Sequence, residues 1–264
     1  MAEFHVVAGA NGLVRPRVRR ISIGDVFDCL SLGLSDFRDR PTHYIFLIIL
    51  YPLIGVILMT WTSGANALPL LFPLVSGFAL IGPFAAIGLY EISRRREQGL
   101  NPTWRDALEV RHSPALPSIA AVGLFLFAVF IAWLLTAQQL YVVLMGPEAP
   151  ASFRDFLAQI VGTEAGWTLI VVGNLVGLAF AVVVLTTTAI AFPMLIDRDV
   201  GAYAAMETST RAVMANPVPM ALWGAIVAVG LAIGMLPLFA GLAVVLPILG
   251  HATWHLYRRL VATD

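Results

Sequence analysis

Long apolar runs alternate with short, arginine-bearing polar stretches throughout the chain after Ile21, and the runs have the length that crosses a lipid bilayer. A helix needs about 20 apolar residues to span the hydrocarbon core, and residues 43–62, 68–90, 117–140 and 169–195 each meet that requirement. Pro219–Leu256 is nearly twice as long, so it reads as two helices, 219–234 and 236–257, with a tight reversal near Gly234–Pro237. The pattern predicts an all-α polytopic membrane protein with six transmembrane helices in three hairpins. Residues 1–20 read as a flexible basic cytoplasmic N-terminus and residues 21–264 as a single six-helix membrane domain. Met1–Arg20 has no apolar core, so the first span, rather than a cleavable leader, is expected to act as the insertion signal.

Between the runs lie shorter segments with helical periodicity. Ile23, Val26, Phe27, Leu30, Leu34 and Phe37 recur at spacings of three and four, as do Tyr203, Met206, Thr210, Val213 and Met214. In the second group Glu207 and Arg211 stand one turn apart as an expected ion pair. A shorter segment carries Trp104 and Leu108, with Asn101 or Thr103 as a cap. Each is followed by a proline (Pro41, Pro114, Pro217), which stops one helix and can start the next. These segments predict three cytoplasmic amphipathic surface helices, near Gly24–Phe37, Thr103–Arg111 and Val200–Ala215, each preceding a hairpin. Ser152–Val161 predicts one more on the opposite face, capped by Ser152 and Asp155.

Composition agrees with lipid as the solvent. The chain is 59% hydrophobic and 12% charged, against about 25% charged for a soluble domain, and its mean hydropathy is +0.86. Net charge is zero, which gives nucleic-acid binding no electrostatic support. The distribution matters more than the sum. All 16 cationic residues are Arg, and threading the chain through six crossings puts every one except Arg154 on a single side. The positive-inside rule then predicts a multi-pass protein of the bacterial inner membrane with both termini cytoplasmic. That face should attract anionic headgroups. One cysteine, Cys29, excludes an internal disulfide.

The chain also carries an internal repeat. Pro73–Arg95 and Pro237–Arg259 align without a gap, with Pro73/Pro237, Gly77/Gly241, Pro83/Pro247, Arg94/Arg258 and Arg95/Arg259 identical. Both segments run outside to inside, so the repeat is parallel. Glu91 aligns with His255, and the pair is a candidate inter-repeat polar contact.

Candidate chemistry is sparse. No charged residue lies near the centre of any span, which weighs against a proton-coupled transporter. His251 and His255 share a face of the last helix, one turn apart, and are the weak candidates for a haem or metal site. Further ligands are missing: His43 and His112 are both expected at the cytoplasmic surface. The pair therefore reads as interhelical hydrogen bonding, with no catalytic residue, metal or cofactor assigned. Asn174, Thr186, Thr187, Thr188 and many glycines read as helix packing. Pro73, Pro83, Pro193, Pro237 and Pro247 predict kinks, which keeps a transport reading open.

Asn216-Pro-Val-Pro-Met-Ala-Leu-Trp-Gly224, Leu246-Pro-Ile-Leu-Gly-His-Ala-Thr-Trp-His-Leu-Tyr-Arg-Arg259, Gly82-Pro-Phe-Ala-Ala-Ile-Gly-Leu-Tyr-Glu-Ile-Ser-Arg-Arg95 and Phe192-Pro-Met-Leu-Ile-Asp-Arg-Asp-Val200 together resemble a bacterial membrane family filed as domain of unknown function 2189. The resemblance runs over nearly the whole chain from about Ile21. It implies an integral membrane protein and no established activity. Some members carry labels linking them to cytochrome c oxidase subunit I, a pattern of twelve helices and more buried His ligands that this chain does not match. The reading is a non-enzymatic accessory subunit, assembly factor or membrane-organising protein with a membrane-protein partner. The alternatives are a small-molecule or lipid transporter or channel, and a haem-binding respiratory component.

Overall fold

The computed structural model describes residues 16–39, 55, 68–78, 86–103, 105–148, 150–237 and 240–262. Ten α-helices follow one another among these residues. They are α1 (Ile23–Asp39), α2 (Leu71–Phe78), α3 (Ile87–Glu97), α4 (Leu116–Met145), α5 (Phe153–Gly162), α6 (Glu164–Thr188), α7 (Ala191–Asp197), α8 (Ala202–Ala215), α9 (Pro217–Met235) and α10 (Leu242–Leu260). Short 3₁₀ helices cover Leu68–Leu70 and Asp106–His112. Among the described residues the one extended pairing is an isolated antiparallel bridge between Val18 and Val261.

Three segments are long and apolar enough to cross a membrane: Leu116–Met145, Glu164–Asp197 and Pro217–Met235. Their side chains face outward. Leu124, Phe127 and Leu135 of α4, Val171 and Leu175 of α6, and Val229 and Ile233 of α9 are all exposed. Burying apolar surface is the dominant force in water, so such helices are built for lipid, and the chain is an integral membrane protein with several apolar helices. The predicted span 43–62 lies outside the described residues except Gly55. The predicted span 68–90 appears at its two ends, as α2 and α3, with 79–85 outside the described residues.

Packing orders the helices by depth. α3, α7, α8, the 3₁₀ helix Asp106–His112 and the start of α4 gather at one end of the bundle with the last turns of α10. α5 packs on α6 at the other end. The bridge at Val18 and Val261, with Arg19 N–H donating to Leu260 O (2.7 Å) and Ala262 N–H to Arg17 O (3.0 Å), brings the first and last described segments to the same end. Asn216 fixes this clasp: its Oδ1 accepts from Ile21 N–H and its Nδ2 donates to Arg19 O.

Local signals explain the boundaries. Ser152 caps α5, its Oγ accepting from Asp155 N–H. The break between α6 and α7 falls at Ala189–Ile190. Pro193 lacks the N–H that would bond to Ala189 O, and its ring crowds that carbonyl. α9 ends at Met235 and α10 starts at Leu242, with Gly234 against Gly241 so closely that a Cβ on Gly241 would stand 2.9 Å from Gly234 Cα.

α1 and α8 bury one face each. α1 buries Val26, Cys29, Gly33 and Asp36 while Ile23 and Phe27 stay exposed. α8 buries Ala204, Ala205, Thr208, Ser209 and Ala212, while Tyr203 and Met214 point outward. In both helices the most deeply buried positions are mainly small residues, while Leu30, Phe37, Met206 and Val213 are half-buried against the core and Ile23, Phe27, Tyr203 and Met214 face away from it. The segment at Thr103–Arg111 is a 3₁₀ helix with no buried residue, and Trp104 lies outside the described residues.

Candidate functional site

α10 is the axis of the site. Twelve of its residues are buried, among them His251, Trp254 and Tyr257. α1 lies along it, with Gly33 against the backbone of Ile248 and Ala252. α3 packs on another side, where Gly250 accommodates Leu89 and Ala86. Glycine at both contacts lets the helices approach closely enough for short polar side chains to meet between them.

Asp36 is the hub where they meet. Its Oδ2 accepts from His255 Nε2 (3.0 Å) and from Ser93 Oγ (3.2 Å), and its Oδ1 accepts from Arg96 Nη1 (2.9 Å). Ser93 Oγ lies 2.5 Å from His251 Nδ1. One arrangement of protons satisfies the set: His251 donates from Nδ1 to Ser93, Ser93 donates to Asp36, and His255 donates from Nε2 to the same carboxylate. Burial pushes the Asp36 carboxyl up, but the hydrogen bond from His255, the neighbouring His251 and His255 rings and, to a smaller extent, the Arg96 guanidinium outweigh it and hold the group below the usual carboxylate value.

A ring of ion pairs surrounds the hub. Glu91 accepts from Arg94 Nε (2.7 Å) and Arg95 Nε (2.6 Å), and Arg95 also reaches Asp106. Arg96 Nη2 donates to Asp39. Glu97 accepts from Trp254 Nε1 (3.0 Å) and Arg258 Nε (2.9 Å). Asp197 accepts from Tyr257 OH (2.6 Å), and Arg259 Nη1 donates to Asp25 (2.7 Å). The ring ties α10 to α1, α3 and α7.

The structure therefore brings His251 and His255 together on one carboxylate. Glu91 and His255 are each taken up by other partners, arginines for Glu91 and Asp36 for His255. Asp36, Ser93 and Arg96 were not among the residues singled out from sequence. The available signal was the small-residue spacing Val26, Cys29, Gly33, Asp36, which marks the packed face of α1.

Acid, imidazole and hydroxyl within hydrogen-bond reach invite comparison with a nucleophile relay. In such a relay the hydroxyl and the carboxylate engage opposite nitrogens of the ring. Here Ser93 and Asp36 both lie on the Nδ1 side of His251, at 2.5 and 3.8 Å. Ser93 and His251 are 1% and 0% exposed, which leaves no approach for a reacting group. Among the described residues no three His, Cys, Asp or Glu side chains converge as a metal-binding group. An open groove of about 520 Å³ lies at the other end of the bundle, lined by Met145, Glu148, Asp155, Gln159 and Thr163.

A family model described as "Predicted integral membrane protein (DUF2189)" matches residues 70–197. That stretch contains Glu91, Ser93 and Arg96 but neither Asp36 nor the two histidines. No curated protein matches the chain, and no solved structure does.

Proposed function

We propose that this chain, which belongs over residues 70–197 to the DUF2189 family of predicted integral membrane proteins, is a non-enzymatic membrane protein that works through a protein partner, as an accessory subunit, assembly factor or membrane organiser. One observation carries the reading: Asp36, Ser93 and His251, groups capable of acid–base chemistry, are buried and hydrogen-bonded in one chain, and His255, whose side chain is 22% exposed, is bonded to the same Asp36 carboxylate. They spend their bonding capacity on holding α1, α3 and α10 together. Transport and haem readings draw less support, since both histidines turn to the same carboxylate rather than to a cavity.

The proposal includes a topology of six crossings in three hairpins, each preceded by a cytoplasmic helix, with a parallel repeat relating Pro73–Arg95 to Pro237–Arg259. Pro83, on which the register of that repeat depends, lies outside the described residues. The pairing of the first and last described segments and the gathering of arginines at their end support a cytoplasmic placement for both termini, in the bacterial inner membrane.

The deciding experiment is purification in mild detergent after membrane cross-linking, followed by mass spectrometry. The expected result is a second membrane protein at fixed stoichiometry. A chain that stays alone, with solute uptake in proteoliposomes or a Soret band, would replace this reading with transport or haem binding. A reporter fused after Asp264 that signals from the periplasm would overturn the topology.

A further inference from the structure

Six arginines at the clasped end of the bundle are paired with carboxylates. Arg94 and Arg95 hold Glu91, Arg96 holds Asp36 and Asp39, Arg198 and Arg258 hold Asp197, and Arg259 holds Asp25. Arg211 differs in the burial of its guanidinium. Its Nη1 is enclosed by protein and makes no hydrogen bond. Glu207, one turn earlier on α8 and the expected ion-pair partner, does not cap that nitrogen. Nη1 is shut away from water without an acceptor, which is unfavourable, while the residue as a whole is only half-buried, so the remaining guanidinium nitrogens are where an anion from outside can meet the charge.

The surroundings indicate the carrier of that anion. On α8, Arg211 lies at the edge between the buried small residues, Ala204 and Thr208, and an outward strip formed by Tyr203 and Met214. Val218, at the start of α9, is exposed as well. A half-buried cation beside a bulky apolar strip, near the end of apolar helices, fits a molecule with a charged head and an apolar tail. Arginine's fork of donors suits phosphate oxygens.

We propose that Arg211 is a specific binding site for the phosphate of an anionic phospholipid, whose acyl chains lie along Tyr203, Met214 and Val218. The site narrows the general attraction of an arginine-rich face for headgroups to one residue. It does not depend on which protein partner the chain has.

The test uses the full chain in micelles containing equal amounts of phosphatidylglycerol and phosphatidylcholine, with retained lipid counted by native mass spectrometry. The wild type should keep phosphatidylglycerol in preference to phosphatidylcholine. Arg211→Gln should lower that retention about fivefold, Arg211→Lys should keep part of it, and Arg154→Gln at the opposite end should leave it unchanged. Equal retention by wild type and Arg211→Gln overturns the site. Stabilisation by inorganic phosphate alone, with no lipid preference, overturns the lipid assignment. If Arg211→Gln fails to fold, the wild-type preference and the Arg211→Lys variant decide, and a wild type that does not discriminate the two lipids refutes the proposal.

Discussion

Replacing Gly33 with alanine tests whether α1 is locked on α10 by close backbone approach. A Cβ at position 33 would lie 2.6 Å from Ala252 N and from Ile248 O. Ordinary non-bonded contacts are about 3.5–4.0 Å, so α1 would have to retreat by about 1 Å. Both obstructing atoms are backbone inside α10, and neither can rotate away. The retreat would stretch the bonds that Asp36 receives from Ser93 (3.2 Å) and His255 (3.0 Å) past the useful range. Overpacking costs about 1–3 kcal/mol, and weakened hydrogen bonds to a charged group add to it. Alanine's better helix propensity returns about 1 kcal/mol. The net expectation is a loss of about 2–4 kcal/mol. Gly24→Ala on the same helix is the control: its Cβ would meet nothing closer than Ser22 Oγ at 3.5 Å, so the expected effect is about 0.5 kcal/mol of stabilisation. Unfolding in mild detergent, titrated with denaturant and followed by tryptophan fluorescence, reads both. Identical shifts for the two variants would refute the locked-helix argument.

The hub and its surroundings give three more expectations. Asp36→Asn removes the charge that Arg96 and His255 meet at a nearly closed position and should cost about 2–4 kcal/mol by the same titration; Asp39→Asn, whose side chain is 54% exposed, should cost under about 1 kcal/mol, and equal losses would contradict the hub. The Asp36 carboxyl is held below its ordinary value, so its contribution is complete above about pH 4 and disappears as pH falls through the folded-state value; unfolding midpoints measured from pH 7 to 3 should drop at the acid end, and less steeply in Asp36→Asn. Burial raises the Cys29 thiol to about 11, so maleimide should leave it unlabelled at neutral pH until the chain is unfolded, whereas labelling of the folded protein would show α1 detached.

Three of the predicted runs, 117–140, 169–195 and 219–234, were legible as candidate membrane spans because length and apolar composition translate directly into helices. α4, α9 and the α6–α7 pair lie on those runs, and the Pro193 signal explains the α6–α7 break, whereas α10 (Leu242–Leu260), on the predicted sixth span 236–257, is not among the segments long and apolar enough to cross a membrane. Which face of α1 and α8 would be buried was not legible from hydrophobic periodicity. In water the bulky apolar stripe turns inward. In lipid the tails compete equally for Ile23, Phe27, Tyr203 and Met214, and close packing goes to Gly33, Cys29, Ala205 and Ala212 instead. The same inversion hid Asp36, which occupies a small-residue position and would pass for a solvated charge. His251 and His255 were visible as a pair, but their shared partner lies more than 200 residues earlier, and nothing local points to it.

That separation gives the fold an order in time. His255 and Asp36 are 219 positions apart, and Arg259 and Asp25 are 234 apart. α1 leaves the ribosome before the other described helices, yet its packing face is not completed until α10, the last of them, is in position. Every intervening helix is synthesised while Val26, Cys29, Gly33 and Asp36 wait without their partner. Docking of α1 therefore waits for α10, and a truncation that removes α10 takes away the main surface on which α1 packs.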